Sequence, residues 1–186
     1  MDQKRSTFGF IQSGSGLTAF HIEASLGELQ TRSTHNMPSI HTSITINAPP
    51  SVVRKVFFDF PAHPQWNPWF TSIESPITPP SPGTRLKFVA YGTTNKPVVF
   101  ENTPDTFSWV GSFIGEWFFK GHHFFKFEPF GDVEENGETV GCKFIQYEDF
   151  SGLGSWIILL FIHGVTTRGF NALNAALKAK AESMQS

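Results

Sequence analysis

A single cysteine, Cys142, leaves this 186-residue chain no intramolecular disulfide, and it has no Asn-Xaa-Ser/Thr glycosylation acceptor. Its start, Met1-Asp-Gln-Lys-Arg5, lacks the apolar run of a signal peptide. An intracellular, reduced, cytoplasmic setting is therefore expected. Neither sign of charge dominates: 14 Lys+Arg stand against 16 Asp+Glu, for a net charge of -2 and a pI near 6.4. Without a basic field, nucleic acid is not an expected partner. The longest apolar run, Trp156 to Ile162, falls far short of the ~20 residues of a membrane span. No span is expected, and the run is assigned to a buried helix. No His-Xaa-His or cysteine cluster occurs, and the adjacent His122 and His123 of a strand point to opposite faces, so neither a metal site nor a cofactor is expected. Ser13-Gly-Ser-Gly16 lacks the pattern of a phosphate loop, and no Gly-Xaa-Ser-Xaa-Gly elbow exists. Nucleotide binding and acyl-serine chemistry are disfavoured.

What the chain has in excess is phenylalanine, 21 of them with 5 Trp but only 2 Tyr. Rings without a hydroxyl suit apolar linings, which means a thick core or a greasy pocket. The length fits one domain. Residues 1–37 read as an N-terminal extension, a candidate lid, and residues 38–186 as the folded domain. Ile40, Thr42, Ile44 and Ile46 alternate with polar residues as a half-buried strand. Asn47-Ala-Pro-Pro then introduces a short helix to Phe58, and Asp59 to Trp69, with its three prolines, allows one further helical turn and a stiff loop. Strands follow at Phe70–Glu74, Arg85–Tyr91, Val98–Asn102, Phe107–Phe113, Trp117–Glu128 and Thr139–Phe150, with a turn at Gly92–Lys96 and Asn136-Gly137 marking the last hairpin. A helix from Gly154 to Glu182 closes the chain, with serine as its expected N-cap. Its expected core face is Ile157, Leu160, Gly164, Phe170, Leu173 and Leu177. The first half is apolar nearly all round and is expected to be gripped by the sheet, leaving an exposed flank on the second half.

The chain resembles the SRPBCC superfamily, the START-like and pollen-allergen-like proteins, and in particular their polyketide cyclase/dehydratase-type branch. The residues that carry the resemblance are Ile46-Asn-Ala-Pro with Val53 and Phe57, Asp59-Phe, Trp66-Asn-Pro-Trp69, Gly83, Trp109-Xaa-Gly111, Gly121-Xaa-His123-Xaa-Phe125, Phe144-Xaa-Gln-Xaa-Glu148-Xaa-Phe-Xaa-Gly152, and Gly169-Phe-Asn-Ala-Leu-Asn-Ala-Ala-Leu-Lys178. It covers Ser39 to Glu182 and implies an α+β helix-grip fold, a seven-stranded curved antiparallel sheet around the C-terminal helix with two short helices after the first strand. That superfamily hosts lipid carriers, hormone receptors and aromatase/cyclases, so function has to be argued from the site.

Alternation puts His123, Gln146 and Glu148 on the concave side of the last two strands. A His and a Glu there could act as general acid and base on an enolisable ketone or phenol, the carboxylate raising the imidazole's pKa while desolvation raises its own. The alternative is that the two satisfy each other and pin the sheet to the helix. Trp66 either walls or plugs the cavity mouth, and Asn67 either meets a ligand or ties its loop. Phe88, Trp109, Phe125, Gln146, Leu160 and Phe170 complete the expected lining, while Tyr91, Glu101, Asn171 and Asn174 are further polar candidates. A chaperone-binding or other interaction module is expected if Phe side chains fill the cavity; otherwise two functions follow: a cofactor-independent cyclase, dehydratase or isomerase of a polyketide-like metabolite, or a carrier of a lipid, sterol or pigment. Both place a hydrophobic ligand between sheet and helix, in a monomer or homodimer.

Overall fold

The computed structural model describes residues 37–133, 135 and 137–185, with the backbone alone of residue 113. The candidate lid, up to residue 36, lies outside the described residues. The elements are β1 (Ser39–Ile46), α1 (Pro50–Phe58), a 3-10 turn (Phe60–Ala62), α2 (His63–Trp66), β2 (Phe70–Glu74), β3 (Lys87–Ala90), β4 (Thr93–Asn95), β5 (Val98–Asn102), β6 (Thr106–Phe113), β7 (Phe119–Val133), β8 (Thr139–Ser151) and α3 (Ser155–Glu182). The architecture is the expected helix grip, an α+β assembly of antiparallel sheet, two short helices and a long C-terminal helix.

Among the described residues the strands number eight rather than seven and fall into two sheets, ordered β1-β8-β7-β6-β5 and β2-β3-β4. The extra strand is β4. Tyr91 and Gly92 take positive φ, 51° and 73°, and turn the chain so tightly that Thr93–Asn95 pairs with β3 instead of forming the expected turn. A short seam joins the two sheets: Arg85 bridges Val98, the Gly83 N–H donates to the Val99 carbonyl at 2.8 Å, and the Leu86 N–H donates to the Pro97 carbonyl at 2.9 Å. Between them the aromatic excess forms the core, with Phe57 at its centre against Phe107, Phe125, Phe127 and Phe144, ring centroids 4.8–6.1 Å away. Fully burying such a side chain contributes about 1.5–3 kcal/mol.

α3 is held by the opposite end from the one expected. Phe170, Leu173, Leu177 and Ala181 are fully buried, whereas Ile157 and Leu160 of the expected core face are 64% and 82% exposed. Long-range polar contacts explain the reversal. Lys178 Nζ donates to the Thr45 carbonyl at 2.7 Å, Glu182 accepts the Asn47 N–H at 2.7 Å, and Asn174 Nδ2 donates to Thr42 Oγ1 at 3.0 Å. Each ties the last turns to β1 or the residue after it. Gly169 allows the closest approach, since a Cβ there would stand 2.6 Å from Tyr91 Oη and 2.7 Å from Trp69 Nε1. Nor does serine cap α3: Gly154 occupies the N-cap without a side-chain bond, and Ser155 is the first helical residue.

Candidate functional site

Register, not sequence proximity, assembles the site. β6, β7 and β8 lie side by side, and Trp109, His123 and Glu148 are direct partners across them, as are Gly111, Gly121 and Phe150 one step along. Alternation turns these six positions toward the same face, four of them with a side chain. The adjacent Gly111 and Gly121 leave a bare floor in a sheet otherwise covered by rings. A Cβ on Gly111 would meet nothing nearer than Pro97, at 3.9 Å, whereas a Cβ on Gly121 would overlap Glu148 Oε1. The carboxyl thus occupies the space that Gly121 leaves.

Over this floor lies a cavity of about 580 Å³, walled by Phe88, Trp109 and Phe119, rimmed by Thr93 to Pro97, and reached by Glu148. No residue of α3 lines it. The ligand space expected between sheet and helix is displaced to the gap between the two sheets, because Phe170 fills the volume under α3 and stacks on His123 with ring centroids 4.6 Å apart.

The two polar groups at the centre have different surroundings. His123 is 3% exposed and also stacks on Phe125 at 4.2 Å. The Gln146 amide nitrogen lies 2.9 Å from His123 Nε2, so Gln146 donates and the imidazole proton sits on Nδ1. Nδ1 faces Glu148 Oε2 at 3.9 Å, beyond hydrogen-bond reach. Burial pushes the His123 pKa well below its ordinary value, and the charge of neighbouring His122 pushes the same way. The expectation that the carboxylate raises this pKa fails, because desolvation outweighs an ion pair at that distance. Burial, followed by repulsion from Asp149, raises the Glu148 pKa to about 8, although 20% of its side chain stays exposed. Near neutral pH the arrangement is a protonated carboxylic acid facing the cavity, backed by a neutral imidazole.

The other expected ligand contacts divide. Phe88 and Trp109 reach the cavity wall. Phe125 and Gln146 are fully buried behind it. Leu160 points to solvent, because the end of α3 that carries it is the end the sheet does not hold. Trp66 lines a separate cavity of about 390 Å³ with Val56, Phe58 and Pro79. Of Trp66 and Trp69, it is Trp69 whose ring approaches His123, with centroids 6.0 Å apart, while Trp109 stands nearer still at 5.4 Å. Asn67 ties its loop: Oδ1 accepts the backbone N–H groups of Trp69 and Phe70 at 2.9 and 3.1 Å, and Nδ2 donates to His63 Nδ1 at 3.0 Å. His63 Nε2 donates to the Phe57 carbonyl at 2.8 Å, and burial lowers its pKa to about 4. Of the other polar candidates, the Tyr91 hydroxyl bonds the Val165 carbonyl at 2.8 Å, and Asn174 bonds Thr42.

Sequence reasoning missed Phe119, the Thr93–Pro97 rim and the role of Gly121. Gly121 did carry a signal, as a lone glycine in an aromatic-rich strand opposite a run containing Glu148. The model of the polyketide cyclase / dehydrase and lipid transport family matches residues 37–182. Among curated proteins, no sequence matches the chain. Solved structures share the fold at low identity. Norcoclaurine synthase from Thalictrum flavum matches at 13% identity with a TM-score of 0.58, over 81% of this chain and 97% of that one. An aromatase/cyclase from Streptomyces sp. R1128 matches at 16% and 0.55, over 78% and 94%. A START superfamily protein from Mycobacterium smegmatis matches at 16% and 0.56, over 78% and 98%.

Proposed function

Since the chain belongs to the polyketide cyclase / dehydrase and lipid transport family, within the SRPBCC superfamily, we propose that it binds a hydrophobic or aromatic small molecule between its two sheets and moves a proton on it through Glu148. The observation that carries this reading is a carboxyl with a pKa near 8 on an aromatic-walled cavity floor. In a dehydration, Glu148 gives its proton to the departing hydroxyl, which leaves as water. The resulting carboxylate then takes a proton from the adjacent carbon as the double bond forms, and the acid is regenerated. An isomerisation uses the same shuttle, a proton delivered at one atom and removed at another. His123 does not touch the ligand. It is a positioning residue, held by Gln146 with its Nδ1 proton aimed at the carboxylate that appears during the step. A pKa near the working pH favours such a shuttle.

The experiment is incubation with aromatic polyketide precursors. Glu148→Gln is expected to lower turnover by about 10²–10⁴-fold, and the wild-type rate is expected to fall as pH rises through about 8. Equal product from both proteins would refute the acid role. If the cavity instead carries its ligand unchanged, native mass spectrometry will show an apolar molecule bound to both proteins and product from neither.

A further inference from the structure

The end of α3 that the sheet does not hold presents an apolar stripe to solvent. Leu153, Trp156, Ile157, Leu160 and Phe161 are 82%, 56%, 64%, 82% and 80% exposed. They fall at positions i, i+3, i+4, i+7 and i+8, which is one helical face. On the other side of the same turns Leu159 packs inward, 9% exposed. The β6–β7 turn continues the surface with Trp117, 66% exposed: the Leu153 N–H donates to the Trp117 carbonyl at 3.1 Å, and the Gly154 N–H to the Phe118 carbonyl at 2.8 Å. A contiguous apolar surface with two exposed tryptophans is a recognition surface.

We propose that this surface docks the protein on a phospholipid bilayer, with the start of α3 lying in the plane of one leaflet. By length and composition α3 could cross a membrane, but its burial at Phe170, Leu173, Leu177 and Ala181 forbids that in the folded chain. The stretch that keeps one side exposed runs from Leu153 to Val165, roughly 18 Å at 1.5 Å per residue, against a hydrocarbon core of about 30 Å. That suits an interfacial helix with one apolar face sunk to the acyl boundary. Tryptophan is the side chain favoured at that depth, a ring with one donor for the headgroup layer. Charge agrees: no carboxylate occurs from Phe150 to Val165, and the first charged residue beyond is Arg168. On the adjoining turn, Glu116 is paired with Lys120 at 3.3 Å. Among the described residues, the carboxylate of the adjoining turn is thus paired, and an anionic leaflet meets no unpaired negative charge from Phe150 to Val165. The inference rests on the surface alone and holds whether the cavity transforms or carries its ligand.

The test uses the full chain with vesicles of phosphatidylcholine, and of phosphatidylcholine and phosphatidylserine in equal parts. Wild type is expected to co-sediment with both, with a blue shift of tryptophan emission. Leu160→Glu with Phe161→Glu, both changes at exposed positions, is expected to lower the partition coefficient about a hundredfold with the thermal midpoint unchanged. Lys143→Glu, near the far end of β8, is expected to bind as wild type does. The proposal is overturned if wild type stays free of both vesicles, or if the double variant binds equally well. It is also overturned if wild type sediments as a dimer that the double variant dissociates, which would make the stripe a self-interface.

Discussion

Replacing Glu148 with glutamine turns the proton affinity of the cavity floor into a stability measurement. In the unfolded chain this carboxyl ionises near its ordinary 4.5, whereas in the fold it keeps its proton to about 8. Between those values the native state holds more protons than the unfolded state, so stability falls as pH rises through that window. Below it both states are protonated and no penalty exists, and above it the whole penalty stays. At about 1.4 kcal/mol per pH unit the ceiling is roughly 5 kcal/mol. A fifth of the side chain meets solvent, and water there softens the penalty, so about 2–4 kcal/mol is expected between about pH 5 and about pH 8. Glutamine keeps the shape and removes the titration. Urea unfolding of both proteins, at one-unit steps across that range, should show Glu148→Gln gaining on wild type by that amount as pH rises. Other titrating groups cancel in the difference. A difference that does not change with pH would mean that Glu148 is already ionised in the fold at the acid end, and the protonated acid of the mechanism would be lost with it.

Three further outcomes follow from other contacts. Gly121→Ala puts a methyl group into the space of the Glu148 carboxyl, so it should cost about 1–3 kcal/mol of stability and raise the ligand Kd or lower turnover while circular dichroism stays that of the fold. Asn67→Ala removes the acceptor of two buried backbone N–H groups and should cost about 2–4 kcal/mol in chemical unfolding, with ligand affinity unchanged because Asn67 lies outside the cavity. His63 steepens the acid limb, beside His122 and His123, whose pKa values burial lowers as well. Its pKa is lowered to about 4 in the fold, so the unfolded chain takes up its proton first and stability falls as pH drops below about 6.5. Its share of the loss is about 3 kcal/mol by pH 4, and a His63→Gln variant that keeps the wild-type acid slope in denaturant titrations would contradict the Asn67–His63–Phe57 arrangement.

Local periodicity made much of this fold legible. The alternation in β7 and β8 has period two, and once His123 is turned inward the hairpin register brings Glu148 beside it and carries Gln146 inward too. What periodicity does not contain is the identity of the covering element. The start of α3 is apolar on all sides, so hydrophobicity alone assigned it to the core, while the contacts that anchor the other end join Lys178 and Glu182 to β1 and Asn47, more than 130 residues away in sequence. The same gap between composition and geometry chose Trp66 over Trp69, two tryptophans of one loop. It also set the sign of the His123 shift, which follows from the burial of the ring, with the carboxyl 3.9 Å away. β4 escaped because a positive φ at Tyr91, a residue that seldom adopts one, shortened the turn in front of it.

The space that Gly121 leaves for the Glu148 carboxyl also joins two positions in descent. A lineage that still needs the acid cannot enlarge residue 121, and one that has shed the acid is free to fill the floor with a methyl or larger group and narrow the cavity. Positions 121 and 148 should therefore change together among descendants of this chain, 148 first, with the loss of the carboxyl coming before the loss of the glycine.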